Sequence, residues 1–115
     1  MHDASVLSLD RLQELNFGKW EGATKQQISK QTDCSFKDGS WHFNSPGGET
    51  FAMISARALE FLNDLDEPAV LVTHGMTSRV LRGLCLGLCQ ADMLKLPIGQ
   101  GCIYHLVNGT ERVLQ

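Results

Sequence analysis

The longest regular pattern in the chain covers residues 51 to 65, where Phe51, Ile54, Ala58, Phe61, Leu62 and Leu65 keep to one helical face. Spacings of three and four align apolar side chains along a single stripe and predict an amphipathic helix. Glu49 and Thr50 suit its first turn, and Asp64, Asp66, Glu67 and Pro68 close it. Ala69-Val70-Leu71-Val72-Thr73 follows, rich in β-branched and aliphatic residues, and predicts a buried strand. His74 and Gly75 come next, and residues 76 to 88 return to a helical pattern until Gly87 loosens it. Residues 91 to 96 add a helical turn that Pro97 stops. The alternation from Gln100 to Val107, with Asn108-Gly109 after it, predicts a hairpin whose second strand is 111 to 115. His105 falls in mid-strand there, where a structural cross-strand role is expected.

The first half of the chain is less regular. Val6 to Leu9 suggests an edge strand, and residues 11 to 22 fit neither period, which predicts a loop carrying buried aromatics. Thr24 is placed as the N-cap of a short helix through Gln31. Residues 32 to 46 mix turn formers with large aromatics, the composition of an ordered excursion over the core. His42, between Trp41 and Phe43, is read as a packed or surface imidazole.

Composition narrows the class. At 115 residues, 43% hydrophobic and 20% charged, the sequence fits one globular domain, 1–115, with no repeat and no low-complexity tract. Ten Lys and Arg against thirteen Asp and Glu leave a net charge of −3 and no basic stripe, so nucleic acid is not an expected partner. No apolar run has the length of a membrane span, and the first residues lack a signal-peptide pattern, which implies a cytoplasmic protein. Cys34, Cys85, Cys89 and Cys102 form no CxxC pair. They are expected reduced, and Cys85 and Cys89 are expected buried like small apolar residues.

Candidate chemistry gathers at the 69–79 segment. A His directly after a strand and before a helix sits where open α/β sheets bind ligands. The free N–H groups of a first helical turn suit an anion, and an imidazole beside an anion is a candidate for phosphate chemistry. Glu14 lies between Leu12 and Leu15; an isolated Glu in that setting is expected at the surface.

Three segments together resemble the histidine phosphatase superfamily, also called phosphoglycerate mutase-like. They are Leu12-Gln-Glu-Leu-Asn-Phe-Gly-Lys-Trp-Glu-Gly22, Pro46-Gly-Gly-Glu-Thr50, and Val72-Thr-His-Gly75 with Arg79 four residues on. The resemblance covers residues 9 to 115 and implies an α/β fold, here an incomplete phosphoglycerate mutase-like sheet flanked by helices with a C-terminal hairpin. It implies a phosphomonoesterase of a small phosphorylated metabolite, working through phosphohistidine with no metal or other cofactor. His74 matches the family's second histidine and Glu14 the acid that protonates the leaving oxygen. Phe17 falls where relatives place a substrate-contacting aromatic. Gly75 and Met76 would offer backbone N–H groups to phosphate, and Arg79 matches a mainly structural arginine.

No Arg-His-Gly triplet, the family's nucleophile motif, occurs in the sequence. The chain therefore resembles the C-terminal part of such an enzyme and is expected to be inactive alone. The other reading is a non-catalytic truncated paralogue that binds an anion or a partner. Loss of the first strand implies an unpaired sheet edge and a homodimer through it.

Overall fold

The computed structural model describes residues 10–32, 36–37, 39–73, 75–98 and 103–114. His74, the suggested strand at Val6 to Leu9, and Cys34 and Cys102 lie outside the described residues.

Helix α1 is Lys25–Ser29, and it starts as the sequence requires. The Thr24 hydroxyl accepts from the Gln27 N–H while the Gln27 side chain accepts from the Thr24 N–H, a reciprocal capping box. Helix α2 is Phe51–Asp64, capped by the Thr50 hydroxyl, which accepts from the Met53 N–H. Its buried positions are Ile54, Ala58 and Phe61, the centre of the apolar stripe. Helix α3 is Gly75–Leu86, and helix α4 is Gln90–Leu94. Short 3₁₀ turns at Asp10–Leu12, Gly18–Trp20 and Ser40–Phe43 carry the loops.

The core joins α2, α3 and α4. Leu15, Phe43, Ile54, Ala58, Phe61, Met76, Val80, Leu81 and Met93 are buried together. A second cluster of Trp20, Ile28 and Trp41, with Phe17 and Phe36 packed on it, roots the two aromatic loops. The expectation that residues 32 to 46 cross the core is thus met at Trp41 and Phe43.

Strands β1, Ile103–Val107, and β2, Thr110–Leu114, pair antiparallel through an Asn108-Gly109 turn with φ of 50° and 77°. Two successive positive φ values suit the tight hairpin turn whose twist matches its strands, and Asn-Gly is the sequence that adopts it readily. His105 faces Arg112 across the pair and is exposed. Arg82, 3% exposed, ties the hairpin to α3: it pairs with Glu111, donates to the Pro97 carbonyl at 2.8 Å, and lies 3.6 Å from the Tyr104 ring centroid.

Two expectations are corrected. Residues 69–73 form no strand: Val70 is 88% and Val72 89% exposed, while Leu71 packs on the core. A strand needs a ladder partner for its N–H and C=O groups, and among the described residues none supplies one; the only sheet there is the hairpin. The second correction concerns Cys89, which is exposed because it stands at the N-cap of α4, outside the buried face. Cys85 is half-buried, and burial raises its thiol pKa. No helix among the described residues is long and apolar enough to cross a membrane.

Candidate functional site

The loop from Gln13 to Gly18 has almost no regular structure of its own, so its position depends on bonds from elsewhere. Glu49 and Arg57 supply many of them. The Asn16 N–H donates to Glu49 Oε1 at 2.9 Å, and the Glu49 N–H donates back to the Asn16 carbonyl at 2.8 Å. Arg57 pairs with the same carboxylate at 2.7 and 2.9 Å and donates to the carbonyls of Arg11 and Glu14 at 2.8 and 3.3 Å. One ion pair thereby fixes both ends of the segment that carries Glu14. The planar guanidinium fork permits this, since it presents several donors in a rigid geometry.

The Pro46-Gly47-Gly48 turn completes the seat. A Cβ on Gly48 would stand 2.7 Å from the Asn16 carbonyl oxygen, and one on Gly18 only 2.4 Å from the Gly48 nitrogen. These backbones approach too closely for any side chain, which is the physical reason for glycine at both positions.

Against this frame the Glu14 carboxylate reaches the first turn of α3. Oε2 accepts from the Met76 N–H at 3.1 Å, and Oε1 accepts from the Thr77 N–H at 3.0 Å and the Leu15 N–H at 2.9 Å. The buried Thr77 hydroxyl donates to the Gln13 carbonyl at 2.6 Å and lies 3.2 Å from Oε1. A Cβ on Gly75 would stand 3.5 Å from Oε2, so Gly75 lies against the carboxylate. The amide end of a helix stabilises negative charge through its unpaired N–H groups and its dipole. Glu14 is half-buried, not the surface residue that an isolated Glu suggests, because these amides replace its water.

Glu14 and the Gly75-Met76 pair, over 60 residues away in sequence, are thus neighbours. The Met76 N–H expected to face phosphate is hydrogen-bonded to Glu14 instead. Phe17 stands further along the same loop and its ring packs against Trp41 and His42, with centroids 6.4 and 5.8 Å away. Arg79 donates from Nε to the Leu96 carbonyl at 3.0 Å, an anchoring contact.

His42 belongs to this neighbourhood more closely than its sequence context suggests. It stacks on Trp41 at 3.9 Å, and its Nδ1 lies 2.7 Å from the Gly39 carbonyl oxygen. Burial lowers its pKa, the bond to Gly39 opposes that, and the charges of Arg79 and Lys25 lower it further. The Glu14 carboxylate acts in the opposite sense. Glu49 shows the reverse balance: burial raises its pKa, but the Arg57 and Asn16 donors outweigh burial and hold it below the ordinary 4.5.

Arg57 has no part in the sequence motifs. The available signal was its place at 57 between Ile54 and Ala58, a charge on the apolar stripe of α2, where an unpaired cation is costly. Among the described residues no group of three or more His, Cys, Asp or Glu is placed to hold a metal ion.

A comparison with curated proteins gives no match. Among solved structures, that of the open reading frame Rv3214 from Mycobacterium tuberculosis is similar, with a TM-score of 0.63 at 24% sequence identity. The match covers 89% of this chain and 55% of that one, so the chain spans little more than half the length of that protein. It shares the fold of that part. A model of the histidine phosphatase superfamily (branch 1) matches residues 1–113, nearly the whole sequence. The chain belongs to the histidine phosphatase superfamily.

Proposed function

We propose that this chain carries the proton-donor side of a phosphomonoesterase site for a small phosphorylated metabolite, and that it does not turn over alone. The observation carrying this reading is the Glu14 carboxylate anchored at the amide end of α3, one residue beyond His74. In such a reaction a histidine attacks phosphorus while the ester oxygen leaves and takes a proton from an acid; water then releases phosphate from the histidine. In this reading Glu14 is the acid once it is protonated and its hydrogen bonds to the α3 amides are released, and His74 steadies the phosphoryl oxygens, with Gly75 and Phe17 facing the substrate. Positioned charge and a proton for the leaving oxygen are what phosphoryl transfer needs. The attacking histidine would come from an Arg-His-Gly motif, and this sequence has none. Residues of a catalytic unit fail together, so the remaining members give little rate alone.

A second reading, a non-catalytic interaction module, is favoured by the Met76 and Thr77 N–H groups being already engaged by Glu14 and so not free to hold a phosphoryl oxygen.

The test is hydrolysis of p-nitrophenyl phosphate by the purified chain, beside His74→Ala and Glu14→Gln, with inorganic phosphate binding followed by NMR. The expected result is a background rate in all three proteins, with phosphate shifting the Gly75 and Met76 amides of the wild type and not of His74→Ala. Hydrolysis lost in His74→Ala would establish a nucleophile within this chain and reject inactivity. No phosphate shift at α3 would reject the phosphate site of the first reading and favour the second.

A further inference from the structure

His42 is held in a defined orientation. One face of its ring lies on Trp41, with centroids 3.9 Å apart and planes 28° from parallel. The Phe17 ring stands 5.8 Å away, tilted by 48°. Trp41 is itself buried in the cluster of Trp20 and Ile28, so the ring rests on a fixed floor. Its edge is fixed too, because Nδ1 lies 2.7 Å from the Gly39 carbonyl oxygen. Gly39, with φ of 81°, is the N-cap of the Ser40–Phe43 turn, and that left-handed conformation favours glycine.

The bond to Gly39 decides the tautomer. A carbonyl oxygen only accepts, so Nδ1 carries the proton. Burial, followed by the charges of Arg79 and Lys25, holds the ring below 6.5 against the Gly39 bond and Glu14, so it is neutral above that pH. Nε2, which points away from the Gly39 bond, is then purely an acceptor. Among the described residues it has no hydrogen-bond donor. A half-buried acceptor left without a donor is unfavourable, and a ligand that supplies one gains from it.

We propose, resting on the phosphomonoesterase reading above, that His42 is a specificity-determining residue whose Nε2 accepts from a hydroxyl on the alcohol half of the substrate. Two observations tie the ring to that site. Phe17, its neighbour, stands on the loop that carries Glu14, and the Glu14 and Arg79 charges both act on the imidazole. Chemistry selects the hydroxyl. A carboxylate has no proton to give and would face the Nε2 lone pair, whereas an ammonium group would be repelled by Arg79 and Lys25. An alkyl group would leave Nε2 unpaired. A site built to pair with a hydroxyl rejects the analogue that lacks it for that reason. The substrate class is therefore a polyol or sugar phosphate.

The experiment is an NMR titration of the full chain, with nitrogen-labelled histidine and backbone, at about pH 8 where the ring is neutral. The probes are inorganic phosphate, propyl phosphate and glycerol phosphate. Each is expected to shift the Gly75 and Met76 amides, but only glycerol phosphate should shift the His42 Nε2 signal. It should also bind about three- to tenfold more tightly than propyl phosphate, the range of one net hydrogen bond. In His42→Phe, which keeps a ring on Trp41, that ratio should fall to about one. Where His42→Phe disturbs the fold, the Nε2 signal of the wild type decides. Equal affinity for the two esters, a preference that survives in a folded His42→Phe, or an Nε2 signal indifferent to glycerol phosphate overturns the proposal and leaves the phosphate site standing. Silence of the Gly75 and Met76 amides toward every probe overturns the phosphomonoesterase reading, and the role of His42 falls with it.

Discussion

Arg57 touches two separate parts of the site loop at once, and this makes it the most consequential single residue outside the motifs. Its guanidinium joins Glu49 to the carbonyls of Arg11 and Glu14. The two side chains are 19% and 13% exposed, so the pair is sheltered without being sealed. Arg57→Met would leave Glu49 half-buried without its cation and two carbonyls without a donor. The expected cost is about 2–3 kcal/mol, below the range for fully buried pairs because water can still reach the site. Urea unfolding measures this. A separate consequence concerns Glu14: its Met76 and Thr77 amides should lose hydrogen-exchange protection in the variant. If those amides stay protected, the loop is held from α3 alone and the clamp is incidental.

At the scale of elements, the hairpin and the helices depend on different forces. Helix α2 has its own cap and an apolar stripe that fills the core. The hairpin has a favourable turn, but Ile103, Val107, Val113 and Leu114 are exposed, and a lone two-stranded hairpin is marginal in water. Buried Arg82 supplies much of the attachment through Glu111, the Pro97 carbonyl and the Tyr104 ring. Arg82→Met should therefore free residues 103–114 for exchange while α2 keeps its protection. Uniform protection across the molecule would show that strand-to-helix packing suffices without the charge. Thr50→Ala removes the cap of α2 and should cost about 1 kcal/mol, the usual value of a helix cap.

Across the whole molecule, the titrations of Glu49 and His42 have the same sign. Glu49 has a folded-state pKa below 4.5; its contribution is complete above that value and is lost as pH falls through the folded pKa. His42 has a folded-state pKa below 6.5, so the unfolded chain binds its proton first, and stability falls as pH drops from 6.5 toward the folded value. Thermal unfolding should thus show a two-stage loss, beginning just below pH 6.5 and steepening below pH 4.5. His42→Asn should remove the first stage and Glu49→Gln the second. A flat profile between pH 7 and 5 would mean that His42 titrates alike in both states.

Local patterns were sufficient wherever the determinants were local. The α2 stripe, the Thr24 cap and the Asn108-Gly109 turn are each set by neighbours within a few residues, and each appears where the sequence predicts it; Thr50, expected with Glu49 in the first turn of α2, is instead its N-cap. The three motifs also identify the superfamily from sequence alone. Tertiary structure decided the rest. Only the fold brings Glu14 to the amides of α3, because that contact spans more than 60 residues and depends on the Glu49–Arg57 clamp. It also decided that 69–73 lies open. Strand propensity describes a residue's fit to a sheet, but a strand exists only where another backbone meets its hydrogen bonds, and the described residues hold none in that place.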